Sequence, residues 1–131
     1  MTKRWEFYQT AVGADVVRKE MGKCRLTRAE TIKLGKLMQR AQEGALLAKD
    51  RKDLRDGLLE LRLDCGERIF RLFYGEVQGS NIALLLAVKF VNKKSTQGIA
   101  TDPTDIETAR KRLCEWQNRA KRDDQRPDTL K

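Results

Sequence analysis

The chain of 131 residues carries 28 Lys and Arg against 19 Asp and Glu, and no histidine, for a net charge of +9 and a pI near 9.7. That length suits one domain with a real core, and the charge favours a polyanion or an acidic protein as partner, while the missing histidine excludes the commonest acid and base of neutral-pH catalysis. Cys24, Cys65 and Cys114 are odd in number, with no CxxC spacing and no histidine to join them; neither a disulfide framework nor a zinc site is expected, and no cofactor.

The start MTKRWEFYQT is charged where a signal peptide is apolar, and the apolar run at 82–88 is too short to span a bilayer. A soluble, cytoplasmic protein with no membrane partner is expected. Trp5, Phe7 and Gln9 alternate with Arg4, Glu6 and Tyr8, the period of a strand with its aromatic face on a core. After Gly13, the residues Val16, Val17 and Met21 predict a short helix that Gly22 and Lys23 end. Thr27 and Glu30 have capping-box spacing, which predicts a second helix over about 27–43 with Gly44 as its stop. The two helices are expected as an antiparallel pair across a sheet.

The stretch 48–57, AKDRKDLRDG, alternates in sign and reads as a solvated loop anchored by Leu54. Strands follow at 58–64, 67–74 and 82–91, the last apolar on both faces and so inside the sheet. A second capping box, Thr104 with Glu107, opens a helix that turns Ile106, Ala109, Leu113, Trp116 and Ala120 inward. Residues 1–122 form the expected domain, and 123–131 a tail with nothing to bury. The order β-α-α-β-β-β-α implies an α+β fold: a largely antiparallel sheet with helices on one face.

With Cys65 and Gly66 as a two-residue turn, Arg62 faces Ile69, Glu60 faces Arg71 and Leu58 faces Phe73. Leu59, Leu61, Leu63, Phe70 and Leu72 then share one face, which a slip by one residue would turn toward water. Glu60, Arg62 and Arg71 lie on the face the leucines leave free, and Tyr74 stands at a strand end from which its hydroxyl reaches out. As a cross-strand pair on a solvated face, Glu60 with Arg71 contributes about 0.2–1 kcal/mol. Convergence argues for more. Lys93 and Lys94 leave the neighbouring strand, Lys49, Arg51, Lys52 and Arg55 enter the hairpin from one side, and Arg110, Lys111 and Arg112 stand on the last helix. Such a face suits a phosphate backbone, with Phe73 and Tyr74 as rings on which bases stack.

The blocks DLRDGLLELRLD, RIFRLFYG and LLLAVKFVNKK, followed by DPTDIETARKR, resemble those of the RelE/ParE toxin superfamily, in its HigB-like, phage-derived branch. The resemblance runs from Trp5 to about Arg119. It implies a microbial-ribonuclease fold with a helical hairpin on an antiparallel sheet. It also implies a type II toxin that cleaves mRNA on the ribosome and forms a hetero-oligomer with a cognate antitoxin of helix-turn-helix type. The family's basic strand residues fall on Arg62 and Arg71, and its later basic residue on Lys93 or Lys94. Three positions depart from the pattern: Glu60 replaces a basic residue of one branch, the loop KKSTQGIATDP is longer, and no tyrosine follows near the last helix.

The implied chemistry is attack of a ribose 2′-hydroxyl on the adjacent phosphate, without a metal. Arginines suit charge stabilisation at phosphorus, so Arg62 and Arg71 take that role. Glu60, Lys93 or Lys94 is left as base, and Tyr74 or a lysine as acid. Lys49, Arg51, Lys52, Arg55, Phe73 and Arg110 are the expected RNA contacts. Two rival readings stay open: a ParE-like poison of DNA gyrase, and a basic RNA-binding protein without turnover.

Overall fold

In a computed structural model, the described residues are 3–79, 82–94 and 101–125. The elements are β1 (Arg4–Phe7), α1 (Val16–Cys24), α2 (Arg28–Glu43), a 3-10 turn (Ala48–Asp50), β2 (Arg51–Asp53), β3 (Leu58–Asp64), β4 (Arg68–Gln78), β5 (Ala83–Lys94) and α3 (Pro103–Gln125). The five strands form one sheet in the order β1-β5-β4-β3-β2, antiparallel except for β1 beside β5. This is the expected α+β architecture, consistent with a RelE-like fold. Among the described residues no helix is long and apolar enough to cross a membrane.

Local chemistry explains most of the boundaries. The Thr27 hydroxyl accepts from the Glu30 amide and the Glu30 carboxylate accepts from the Thr27 amide, so the predicted capping box starts α2. Gly44 ends the helix with φ +70°, a conformation that glycine adopts without a Cβ penalty. Arg68 donates to Glu30 and to the carbonyls of Cys24 and Arg25, which binds the sheet to the corner between α1 and α2. The Arg68 guanidinium, followed by the Thr27 amide, holds the Glu30 carboxyl below its ordinary value. Along β5, the end that β1 does not reach is served by α1: Glu20 accepts from the Phe90 amide at 3.1 Å, and from Lys89 and Arg112 at 3.0 Å.

The sheet carries helices on both faces, not on one. The Trp5 indole donates to the Met38 carbonyl of α2 and its ring lies 5.2 Å from that of Tyr74. Tyr74 pairs with Leu59, so strand alternation puts Leu59, Leu61, Leu63, Phe70 and Leu72 on the side of α2. On the opposite side, a Cβ at Gly75 would stand 2.8 Å from Leu113 of α3. Leu58, Glu60, Arg71 and Phe73 therefore lie under α3, and every one of them is buried. The charged side of the hairpin is a second core, because an amphipathic α3 has its own apolar stripe to cover.

Several expectations change. The segment expected as a solvated loop contains β2, a short edge strand that sets Lys52 opposite Glu60. Tyr8, assigned to the polar side of β1, is buried, with its hydroxyl on Glu115. The cap of α3 is Asp102, not Thr104: its carboxylate accepts from the Thr104 amide at 2.8 Å and its carbonyl from Ile106 at 3.2 Å. Pro103 fits the first helical position, where no amide is needed. The helix continues through Gln125, beyond the expected end near Arg122; the rest of the expected tail lies outside the described residues. By this assignment Asp102→Ala costs about 0.5–2 kcal/mol in urea denaturation, and Thr104→Ala stays within about 0.5 kcal/mol of the parent; the reverse order would contradict it.

Candidate functional site

The register of the β3–β4 hairpin determines what the site is. Asp64 pairs with Ile69 and β4 begins at Arg68, so the connection is residues 65–67, one residue longer than the Cys65–Gly66 turn expected. The Asp64 carboxylate accepts from the Gly66 amide at 3.0 Å, Gly66 takes φ +87°, and the Cys65 amide donates to the Arg68 carbonyl at 2.9 Å. This Asx-type turn absorbs residues that a tight hairpin would have paired. The shift is by two residues, so the faces survive and the partners change. Arg62 now stands directly opposite Arg71, and Glu60 opposite Phe73.

Two arginines facing each other repel unless something intervenes. Glu60, diagonal to Arg71, forms an ion pair with it; the two residues are 1% and 2% exposed. The Thr101 hydroxyl accepts from Arg71 at 3.1 Å and donates to the other Glu60 oxygen at 2.9 Å. Both carboxylate oxygens are thus occupied, and Thr101 precedes the cap of α3, so one network joins β3, β4 and the start of α3. Arg62 has no such match. It makes no hydrogen bond or ion pair with a described residue, and its Nε is buried without a partner. The half-buried Arg62 lines a cavity of about 490 Å³ between α2, the 3-10 turn and the end of β3.

The other expected residues divide into three groups. Lys49, Arg51, Lys52 and Arg55 are exposed, in β2 and the segments that flank it. Lys93 and Lys94 fall opposite Ile69 and Arg68 in the register of β5, at the same end of the sheet as Arg62. Arg110 is instead a structural clamp. It donates to the carbonyls of Leu54 at 2.9 Å and Arg55 at 3.1 Å, across a turn in which Arg55, Asp56 and Gly57 all have positive φ. Arg112 is likewise committed, to Glu20 and to the Val88 carbonyl at 2.9 Å.

Phe73 is fully buried and presents no ring to a base. Tyr74 is 1% exposed, within β4 and not at its end, and it faces α2 while Glu60 and Arg71 face α3. Burial pushes its phenol up to about 12, which suits neither an acid nor a surface ring. Burial also raises the Cys65 thiol, in keeping with a turn residue and against a nucleophile. Thr101 was missed, and no signal in the sequence distinguishes it. Lys33, Lys36 and Arg40 were missed although their spacing puts them on one side of α2.

Residues 25–114 match a family model described as phage-derived protein, Gp49-like. The match covers more than half of the chain, which belongs to that family. The family is associated with toxin–antitoxin toxins related to RelE/ParE, and so implies an antitoxin as partner. No curated protein matches the chain.

If Glu60 is what makes the buried Arg71 tolerable, Glu60→Ala lowers stability by about 3–5 kcal/mol, as removal of one member of a buried pair does. The double change Glu60→Leu with Arg71→Met then recovers most of that loss in chemical denaturation. A double variant as unstable as Glu60→Ala would contradict the pairing as the source of the cost.

Proposed function

We propose that this Gp49-like protein is the toxin of a type II toxin–antitoxin pair, of the HigB-like kind, and that it cleaves mRNA on the ribosome and so stops translation. The observation that carries the reading is Arg62 opposite Arg71 with one carboxylate between them, itself spent on Arg71 and Thr101. A half-buried guanidinium with no counter-ion of its own attracts an anion, and its planar donors suit a phosphate. Exposed Lys49, Arg51 and Lys52 beside it would follow a nucleic-acid backbone.

In the proposed reaction the 2′-hydroxyl loses its proton and attacks the adjacent phosphorus. The bond to the 5′-oxygen breaks, that oxygen takes a proton, and the products are a cyclic phosphate and a free 5′-hydroxyl. Arg62 holds a phosphate oxygen and stabilises the charge that develops there. Glu60 is assigned to positioning, because both of its oxygens are already engaged and it is almost wholly buried. Proton transfer is left to Lys52, Lys93 or Lys94. With so weak an acid–base set, much of the rate must come from alignment of the 2′-hydroxyl with phosphorus, which the ribosome supplies. The cognate antitoxin, of helix-turn-helix type, should present acidic groups to this basic face.

The burial of Arg71 favours a second reading, an RNA-binding protein without turnover, in which the Glu60–Arg71 pair is structural alone. Induction in cells with transcript 5′ ends mapped separates the two. The proposal expects in-frame cuts within translated regions that vanish in Arg62→Ala and persist in Tyr74→Phe. Growth arrest with intact transcripts would overturn the nuclease, and accompanying DNA damage would point to gyrase.

A further inference from the structure

The carboxylates of this chain are placed with economy. Arg68, Arg71, Arg112 and Arg119 are each paired with a glutamate. The cavity lined by Arg62 is treated differently: Lys33, Lys36 and Arg40 from α2, Lys49 from the 3-10 turn and Arg62 from β3 all border it. None of these five cations forms an ion pair with a described residue. Asp50 and Asp64 are the two carboxylates in its wall, and Asp64 is partly spent on the Gly66 amide. Lys33 donates to the Asp64 carbonyl, which neutralises nothing.

Five cations against two carboxylates, one of them Asp50 with a buried oxygen that has no hydrogen-bond partner, leave an excess of positive charge around the hollow, which favours an anion that enters. The hollow is not purely polar. Leu37, Leu47 and Leu63 also line it, and Leu47 is 53% exposed, one of three exposed large hydrophobic side chains among the described residues. A mouth of lysines and arginines over an apolar wall, about 490 Å³ in volume, matches a ligand with an anionic end and a flat apolar body. A nucleotide has both.

We propose that this cavity binds one nucleotide of single-stranded RNA next to the scissile position, its phosphate on Lys36, Arg40 and Lys49 and its base against Leu47. The inference rests on the nuclease reading, since Arg62 belongs to both places and would hand the backbone from one to the other. It makes α2 part of the substrate path, although α2 contributes nothing to the Glu60–Arg71 network.

The test uses the full chain and a fluorescent single-stranded oligoribonucleotide with 2′-O-methyl groups, which cannot be cut. Lys36 and Arg40 are exposed, so Lys36→Ala with Arg40→Ala leaves the fold intact. That variant should bind about tenfold more weakly and lose about 0.7 from the slope of log K against log salt for each phosphate contact removed. Leu47→Ala should weaken binding with the slope unchanged. Unaltered affinity and slope in the double variant, with the parent binding normally, overturn this inference alone. Loss of binding to a polyglutamate peptide in place of RNA overturns it too and makes the cavity a protein-docking site. A parent chain that binds no oligonucleotide overturns the RNA reading along with it.

Discussion

A guanidinium that water cannot reach has to be matched where it sits, and Arg71 is in that position. Stripping water from Arg71 and from Glu60 costs several kcal/mol per ion, which close pairing and further hydrogen bonds must offset. The Thr101 hydroxyl bonds to both, which leaves neither oxygen of the carboxylate idle. Because Thr101 stands one residue before the Asp102 cap, the same bonds anchor the start of α3. The helix then covers Leu58, Phe73 and Gly75, where the absence of a Cβ lets Leu113 sit against the strand. The pair, the second core and the direction of α3 are therefore one arrangement. Arg62 is what that arrangement leaves over, across the strand from Arg71 and without a carboxylate.

Much of the fold was legible because the signals were local. The Thr27–Glu30 box, the Gly44 stop and the doubly apolar β5 each follow from a few neighbouring residues, and each is where it was expected. The errors share a physical origin. Thr104 has the same capping-box spacing as Thr27, yet Asp102 has the stronger acceptor and Pro103 already supplies a fixed φ, so competition between adjacent caps decided the start of α3. Periodicity puts β3 and β4 in correct faces but not in correct pairs, since the Asx-type turn at Asp64 displaces the register by an even step that leaves the pattern unchanged. The second helical layer was missed because charged residues on a strand read as solvated, whereas Glu60 and Arg71 satisfy one another out of water.

The site was legible as a neighbourhood and not as a set of roles. Arg62, Glu60 and Arg71 do come together, and Lys52 joins them through a strand too short and too charged to announce itself. Phe73 and Tyr74 failed as surface rings because aromatic side chains in a hairpin covered on both sides are drawn inward. Arg110 looked like one more cation of a basic patch, yet carbonyls freed by the left-handed turn at Arg55 and Asp56 recruit it. Membership of the Gp49-like family then narrows the meaning of the remaining free cations, by associating the chain with toxins that an antitoxin must restrain.

The central claim is that the hairpin holds Arg71 as structure and leaves Arg62 to meet phosphate. The Nε–H resonances of the two arginines, followed by NMR during titration with an uncleavable oligoribonucleotide, test it most directly. The account predicts that the Arg62 resonance moves saturably with added RNA while that of Arg71 stays with Glu60. An Arg62 resonance that does not respond while RNA binds elsewhere on the protein would contradict it.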